Sequence, residues 1–222
     1  MTRAWAIVAV IGMGLGVGLA APLDGPLNTL TAQEKSQGWI LLFDGKTLSG
    51  WDSRGGGSGE WRVVEGAIRI DSRRGGGLYT QQEFSDFILK AEFRTTDDVD
   101  AGMYLRMSAP QPNPDPKAPK GAAARRGYEL QIRDTQRKGG YNTGSIIDAI
   151  QASKTHLKSG QWNTYEVTAQ GDHFIVVFNG EKILDGHDAK FARGSVGLQW
   201  AHPERVPEGR QIEFRNLKIK PL

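Results

Sequence analysis

The chain has no cysteine among its 222 residues, and this absence removes several kinds of chemistry. Disulfide bridges, thiolate metal sites and a cysteine nucleophile are all excluded. A long basic run is also missing, and the formal net charge is only +3. Nucleic-acid binding usually needs a concentrated basic patch with interleaved aromatic residues, so we expect no nucleic-acid partner. A chain of this length can bury a large core without covalent staples.

Long apolar runs are scarce, and the one that stands out lies at the very start. Residues 1–20 contain an early Arg3, an apolar stretch at 4–19 and a small-x-small triplet at 18–20. This order is typical of a secretory signal peptide. The alternative is an uncleaved anchor, because the run approaches the roughly 18 apolar residues that span a bilayer. Repeated glycines weaken a permanent membrane helix. We therefore expect cleavage, no stable membrane insertion afterwards, and a periplasmic or secreted bacterial protein.

A sustained helical stripe of apolar residues is also absent, and short alternating segments take its place. Residues 21–37 form a polar lead-in, with a helical turn expected near 31–36. Beyond it, a period of two predicts strands at 40–43, 61–64, 67–70, 87–94, 103–107, 128–133, 164–170, 174–178, 195–200 and 211–220. Glu65-Gly66 and Asn179-Gly180 predict two-residue hairpin turns. The pattern favours an all-β sandwich of two antiparallel sheets, with residues 38–222 as a single domain.

One segment interrupts this rhythm. Residues 108–127 contain five prolines between two strongly predicted strands. Such a segment is biased towards extended, exposed conformations, so we expect a surface loop. It is either a tolerated insertion or a rim over a binding cleft.

The predicted strands differ in the polar groups on the side away from the core. Two of them carry long charges of both signs, typical of a solvated face: Lys90, Glu92 and Arg94 on one, Glu213, Lys218 and Lys220 on the other. Three others combine small residues with planar polar groups: Gly102-Tyr104-Arg106, Glu129-Gln131-Arg133 and Gly197-Gln199-Ala201. Small residues leave space, and planar groups form directed hydrogen bonds. We interpret these three as a concave face for a sugar; the alternative is ordinary solvation.

Eleven segments occur in the order found in one known family: GWILLFDGKTLSGW (38–51), EWRVVEGAI (60–68), GGGLYT (75–80), FSDFILKAEFR (84–94), GMYLRM (102–107), GYELQIRD (127–134), NTGSIID (142–148), KSGQWNTYEV (158–167), VVFNGEKILD (176–185), GSVGLQ (194–199) and IEFRNLKIKPL (212–222). On these motifs the chain resembles the 3-keto-disaccharide hydrolase family, also called the 3-keto-glucoside 1,2-lyase/3-keto-2-hydroxyglucal hydratase domain. The resemblance implies a concanavalin A-like jelly roll, which is the sandwich that periodicity also predicts.

The resemblance implies cleavage of glycosides that a separate sugar 3-dehydrogenase has already oxidised to a ketone at C3. A C3 ketone acidifies the proton on C2, so a base can form an enolate that expels the glycosidic oxygen from C1. Water then re-adds to the 2-hydroxyglucal-type enone. Such a site needs a base near C2, a donor or cation at the ketone oxygen, and an acid for the leaving group. The expected substrate is therefore an oxidised saccharide, and the dehydrogenase is the expected functional partner.

Three residues are candidates for this chemistry. Glu129 is the candidate base, and Arg106 is the candidate cation that stabilises the enolate. His202, which follows a predicted strand directly, is a candidate acid or base. The alternatives are an ion pair between Glu129 and Arg106 or Arg133, and a surface loop for His202.

Five more residues are candidates for substrate binding: Gln131, Gln199, Tyr104, Asp134 and Lys158. The glutamines would hold sugar hydroxyls, or else form a cross-strand amide pair. Asp134 would bind a hydroxyl or cap a turn. Three departures from the family motifs, at Asp100, Ile147 and Ser159, leave open a changed substrate preference or lost activity.

Metal binding is open at this level. The chain has no H-x-x-H motif, so a tight zinc site is not expected. Asp97, Asp98 and Asp100 offer oxygen ligands for calcium, which is the one cofactor that we consider; the alternative is a solvated acidic turn.

Two other functions remain in view besides an enzyme. One is a non-catalytic, lectin-like carbohydrate-binding module of the same fold, and the other is a cell-surface scaffold. A binding module would need aromatic platforms for pyranose rings, for which Tyr79, Tyr104 and Tyr141 are the candidates. We expect the tryptophans at 39, 51, 61, 162 and 200 to serve mainly in packing.

Overall fold

The computed structural model describes residues 26–53, 60–71, 75–97, 99–108, 126–133, 140–153, 155–200 and 208–222. The expected signal peptide, most of the proline-rich loop, Asp98, Asp134 and His202 lie outside these residues. Across the described ranges, no helix is long and apolar enough to cross a membrane.

The described residues form one short helix and thirteen strands. The helix is α1 (Ala32–Ser36), where helix was expected; Thr31 and Glu34 cap its first turn reciprocally. The strands are β1 (Ile40–Leu41), β2 (Trp51–Ser53), β3 (Arg62–Val64), β4 (Ala67–Ile70), β5 (Gly76–Phe84), β6 (Phe87–Thr95), β7 (Asp100–Met107), β8 (Tyr128–Arg133), β9 (Asn163–Gln170), β10 (His173–Phe178), β11 (Glu181–His187), β12 (Gly194–Trp200) and β13 (Ile212–Pro221).

The strands make two antiparallel sheets. In the part of the chain that is described, the larger sheet has eight strands in the order β11-β10-β9-β6-β13-β4-β3, with β1 also paired to β13. The smaller sheet has five, in the order β2-β5-β12-β7-β8. This arrangement confirms the predicted two-sheet sandwich.

Alternate residues of both sheets meet in one hydrophobic core. Phe93, Phe174 and Phe214 come from the larger sheet, and Leu130 and Leu198 from the smaller one, all fully buried. Each such side chain contributes about 1.5–3 kcal/mol by leaving water. The tryptophans at 51, 61 and 200 belong to this core, as expected. Core packing accounts for the residues on the inner face of each sheet, but it does not account for the polar residues on the outer faces.

Both predicted hairpin turns are confirmed. Glu65 and Gly66 join β3 to β4 with φ of 50° and 76°, and Asn179 and Gly180 join β10 to β11 with φ of 49° and 85°. Two successive positive φ values match a two-residue turn whose twist fits the flanking strands.

The sequence failed to predict β2 and β5, and it indicated β11 only through the hairpin turn at Asn179-Gly180. The most important of these is β5, which is nine residues long and pairs with both β2 and β12. Its sequence, GGLYTQQEF, begins with glycines and ends with exposed polar residues, so the alternation that marks a half-buried strand is missing. The hydrogen bonds that β5 makes to β2 and β12 stabilise it as a strand, although its residues have little intrinsic preference for that conformation.

The expectation of a solvated face on the larger sheet is wrong. Glu92, Glu213 and Lys218 are buried. Glu213 accepts hydrogen bonds from Arg94 Nε at 2.6 Å and Arg69 Nη2 at 2.7 Å, and Lys218 pairs with Glu34 of α1. Glu213 is thus enclosed by arginines of its own sheet, whereas Lys218 is covered by the lead-in segment that carries Glu34.

Candidate functional site

The outer face of the smaller sheet carries the polar side chains that the sequence singled out. Strand register places them around Gly102: Gln131 of β8 is its partner on one side, and Gln199 of β12 is its partner on the other. One step along β7, Tyr104 is paired with Glu129 and Gly197 in the same way. The structure therefore brings Glu129, Gln131, Gln199 and Tyr104 together, as the sequence predicts.

Gly102 is the floor of this group. A Cβ atom built there would lie 2.8 Å from Leu130 O, 3.3 Å from Glu129 Cγ and 3.6 Å from Gln199 Oε1. The side chains of Glu129 and Gln199 thus approach Gly102 from its two neighbouring strands, so closely that a larger residue at this position would crowd Glu129 and the backbone of Leu130. We call the space above Gly102, bounded by Glu129, Gln131, Gln199 and Tyr104, the Gly102 hollow.

Two tyrosines form a wall beside the hollow. The rings of Tyr79 and Tyr104 are stacked, with centroids 5.4 Å apart and planes 10° apart. Tyr79 lies flat across the strands, so that a Cβ on Gly197 would come within 2.7 Å of its ring. The glycines of β5 and β12 therefore make room for the aromatic pair. A half-buried aromatic surface next to polar groups is suited to the apolar face of a pyranose.

The hollow contains buried acceptors that lack a donor. Gln131 is 2% exposed, yet its Oε1 has no hydrogen-bond partner in the described part of the molecule, and the same holds for Oε1 of Gln199. Most buried polar atoms in folded proteins are paired, so each exception calls for an explanation. A ligand or water that donates to these two oxygens would supply it.

The other end of Gln131 is held firmly. Its Nε2 donates to Asp100 Oδ1 at 3.3 Å, and Asp100 Oδ2 is 3.0 Å from Arg133 Nη2. Asp100 is itself buried, at 6% exposure. The acidic residue expected to offer a calcium ligand is therefore occupied by a guanidinium and an amide. Across the described ranges no group of three or more acidic or histidine side chains is arranged to hold a metal ion.

The backbone that carries Glu129 and Gln131 is fixed on both edges. Strand β7 pairs with one edge. On the other edge, Gln131 N donates to Ser145 O at 2.9 Å, and Ile147 N donates to Glu129 O at 3.0 Å. Tyr165 Oη reaches through the core to donate to Gln131 O at 2.8 Å, and burial raises the pKa of this phenol well above its ordinary value. Tyr165 therefore remains a neutral donor, and the two side chains stand on a rigid support.

Arg106 does not lie in the hollow, and the expectation that it faces Glu129 is wrong. A β-bulge shifts the register of β12 against β7 between Ser195 and Gly197, and Arg106 has a φ of 52°. The bulge breaks the alternation of side chains along β7, so Arg106 points away from the face that carries Tyr104.

The contacts of Arg106 show what it does instead. Its guanidinium donates to Ser85 O at 2.6 Å, Gly171 O at 2.7 Å and Asp86 Oδ1 at 3.0 Å, and it is 1% exposed. Burial lowers the pKa of Arg106 below its ordinary value, and the Asp86 carboxylate opposes that effect. The buried guanidinium of Arg106 therefore links the segments that carry Ser85, Asp86 and Gly171, and it has a structural role.

The remaining candidates lie elsewhere. Lys158 is exposed in the loop before β9, where its N–H donates to Asn163 Oδ1 at 3.1 Å. Asp134 and His202 lie outside the described residues, so their roles stay predictions. Tyr79 was considered only as an aromatic platform; its place beside the hollow depends on β5, which the sequence did not reveal.

A second cavity lies at the edge of the sandwich. It has a volume of about 250 Å³ and is lined by Tyr128, Ile147 and Phe191, with Lys190 at its rim. Lys190 Nζ contacts Asp148 O at 3.1 Å and Asp188 Oδ2 at 3.2 Å. Tyr128 Oη donates to Asp188 O at 2.8 Å on the core side of β8, so this cavity is separate from the hollow.

Comparison with known proteins agrees with this architecture. The chain is 23% identical to a 3-keto-disaccharide hydrolase of Bacteroides thetaiotaomicron, over 88% of this chain and 82% of that protein. A structure from Parabacteroides distasonis, provisionally described as a glycosyl hydrolase, superposes with a TM-score of 0.70 at 22% identity, covering 89% of this chain and 100% of the other.

A more distant structure shares the fold. The carbohydrate-binding module CBM66 of Bacillus subtilis superposes with a TM-score of 0.52 at 18% identity, covering 76% of this chain and 94% of that module.

The profile of the family described as the 3-keto-alpha-glucoside-1,2-lyase-like domain matches residues 38–220. The chain belongs to that family, and its role is carbohydrate-active.

Proposed function

We propose that this protein cleaves 3-keto-glycosides, including 3-keto-disaccharides, by proton abstraction, elimination and hydration, with net hydrolysis of the glycosidic bond. Family membership supports the substrate class. The observation that carries the proposal is the Gly102 hollow, where a carboxylate and two buried amide oxygens that have no donor among the described residues lie around a glycine. Donor groups of a bound ligand would supply the hydrogen bonds that these two amide oxygens lack.

In the first step Glu129 takes the proton from C2, and the electron pair moves to the C3 oxygen as an enolate. The enolate returns its electrons to expel the glycosidic oxygen from C1, and that oxygen takes up a proton as the alcohol leaves. Water then adds across the resulting double bond, with its hydroxyl on C1 and its proton on C2. The balance is one glycoside and one water in, one 3-keto sugar and one alcohol out. A positioned base of this type contributes about 10²–10⁴ in rate.

The ketone oxygen needs a donor other than Arg106. Tyr79 and Tyr104, whose rings stack beside the hollow, each carry a hydroxyl group. We propose that these neutral donors stabilise the enolate, as preorganised dipoles do in other oxyanion sites. Asp134, His202 and Lys158 stay in the proposal as substrate or leaving-group contacts.

The test uses the purified chain without residues 1–20, methyl 3-keto-α-glucopyranoside and its unoxidised parent glucoside. Release of methanol and 3-keto-glucose from the ketone alone supports the proposal. Binding of both compounds without turnover would contradict it and favour a lectin-like module. Glu129→Gln should abolish turnover while the variant still binds the ketone; full activity would show that another group is the base.

We also propose a location and a metabolic neighbour. The apolar run at 4–19 fits export to a bacterial periplasm or beyond. A substrate with a ketone at C3 must be made by an oxidoreductase, so a sugar 3-dehydrogenase is the proposed partner. Labelling the mature N-terminus of the exported protein tests the first point, and coupled turnover of an unoxidised glycoside tests the second.

A further inference from the structure

The orientation of the Gln131 amide is set by chemistry and not only by its position. An ionised carboxylate accepts hydrogen bonds and cannot donate them. Because Asp100 is paired with Arg133 at 3.0 Å, it acts as a carboxylate, and Gln131 must turn its N–H₂ towards it. The carbonyl oxygen is then the end that faces the hollow.

The consequence is that Gln131 presents only an acceptor to a ligand. Its Oε1 is buried and has no donor among the described residues, and Oε1 of Gln199, across Gly102, is in the same condition. Two acceptors on opposite sides of one glycine require a ligand with two donors. Sugar hydroxyls are donors, whereas a ketone oxygen is an acceptor only.

We infer that Asp100, fixed by Arg133, is a positioning residue that makes the hollow select for free hydroxyl groups on the sugar and turns the C3 ketone away from Gln131. This inference rests on the proposed function and deepens it by fixing how the substrate lies. The sugar places two hydroxyls between Gln131 and Gln199, and its ketone faces the tyrosine wall. A glycoside whose hydroxyl at one of those positions is lost or blocked is a poor substrate.

The experiment compares methyl 3-keto-α-glucopyranoside with its 4-deoxy-4-fluoro and 6-deoxy-6-fluoro analogues. Fluorine is close to a hydroxyl in size but cannot donate, and both analogues keep the C3 ketone and the C2 proton. The wild-type protein should prefer the parent over at least one analogue by about tenfold or more in kcat/KM, because an acceptor left without its donor is costly.

Two variants then test the positioning role. In Asp100→Asn the new amide can donate to Gln131, so Gln131 is free to turn its N–H₂ into the hollow, and the preference should shrink to about twofold or less. Gln131→Met removes the acceptor while keeping length and flexibility, and should have the same effect if Asp100→Asn does not fold. Adding the second change to the first should reduce the preference no further.

The matched control is Glu213→Gln, which also breaks a buried carboxylate–arginine contact but lies on the outer face of the other sheet. It should leave the preference for the parent unchanged. A preference that survives in both Asp100→Asn and Gln131→Met, or that is missing in the wild type although the parent is cleaved, overturns the inference while the proposed function stands. A parent ketone that is neither bound nor cleaved overturns both.

Discussion

The outer faces of the two sheets both carry polar groups, but the hydrogen bonding of those groups differs between the faces. On the larger sheet, Glu92 and Glu213 are buried against arginines, and Trp162 lies over the guanidiniums of Arg94 and Arg215 at 4.8 and 3.8 Å. On the smaller sheet, the side-chain oxygens of Gln131 and Gln199 are buried on either side of Gly102 and have no donor in the described part of the chain. Among the described residues, the carboxylates of the first face have their donors, whereas two acceptors of the second face do not.

This difference helps to distinguish buried polar groups that stabilise the fold from buried polar groups that are available to bind a ligand. A buried acceptor without a donor costs roughly 1–3 kcal/mol, whereas a satisfied pair contributes about 1 kcal/mol or more to the free energy of unfolding. Proteins tend to keep such a cost where function requires it. The density of charged residues alone would suggest a functional site on the larger sheet. The buried acceptors without a hydrogen-bond donor suggest that the site is on the smaller sheet.

The largest expected effect is on catalysis at the outer face of the smaller sheet. Glu129→Gln keeps the shape of the side chain but removes the base, so kcat should fall by about 10²–10⁴. The melting temperature should change little, because Glu129 is only partly buried. Steady-state kinetics and thermal unfolding on the same preparation check this. An equal loss of stability would mean that Glu129 is a structural ion-pair partner.

The next effect comes from filling the hollow. In Gly102→Ala the new methyl meets Leu130 O at 2.8 Å and Glu129 Cγ at 3.3 Å. Overpacking of this kind costs about 1–3 kcal/mol, and it displaces the base as well. We expect weaker substrate binding and slower turnover together, measured as a higher KM and a lower kcat. Wild-type kinetics in this variant would show that substrate does not lie over Gly102.

On the outer face of the larger sheet, we predict an effect on stability and none on catalysis. Glu213→Gln leaves Arg69 and Arg94 without their carboxylate, and should lower the free energy of unfolding by about 2 kcal/mol with kcat unchanged. Urea unfolding and a turnover assay check the two halves. A loss of turnover would mean that the two faces are coupled.

The same carboxylate gives a pH prediction with a defined sign. Burial raises the pKa of Glu213, but hydrogen bonds from Arg94 and Arg69 outweigh it, and the net pKa is lowered from its ordinary value of 4.5. A lowered folded-state pKa contributes stability that is present above the unfolded-state pKa and lost as pH falls through the folded-state pKa. The difference in unfolding free energy between wild type and Glu213→Gln should therefore be full at pH 7 and shrink below about pH 4.5. A difference that grows on acidification would contradict the assignment.

The smallest effect has the opposite sign. Gln199→Met removes a buried acceptor for which the described residues offer no donor, so the protein should become equally stable or more stable by up to about 1 kcal/mol, while KM rises. Chemical denaturation and kinetics on one preparation would detect both. A clear loss of stability would show that this amide is already satisfied in the free protein.

Much of the fold could be predicted from the sequence because half-buried strands leave a period of two. The strands around Tyr128–Arg133 and Ala67–Ile70 were placed to the residue, and the turns at Glu65 and Asn179 followed from their residue types. Strand β5 could not be predicted, because its glycines and glutamines carry no alternation and its order comes from two neighbouring strands.

The site was predictable where it follows strand register and unpredictable where register breaks. Alternation placed Glu129, Gln131, Gln199 and Tyr104 correctly. Arg106 was misplaced because it lies within a bulge, where Leu105 and Arg106 of β7 oppose the single residue Val196 of β12, and a bulge of this kind leaves no mark in the alternation. The contrast between the two outer faces was also invisible, since whether a charge is solvated or enclosed depends on what folds over it.

The most direct test is a crystal structure of Glu129→Gln with methyl 3-keto-α-glucopyranoside bound. We expect the sugar ring to lie over Gly102, with hydroxyls donating to Oε1 of Gln131 and Gln199 and one face of the ring against Tyr104. A sugar bound in the cavity beside Tyr128 and Phe191, or on the outer face of the larger sheet near Trp162, would contradict the account.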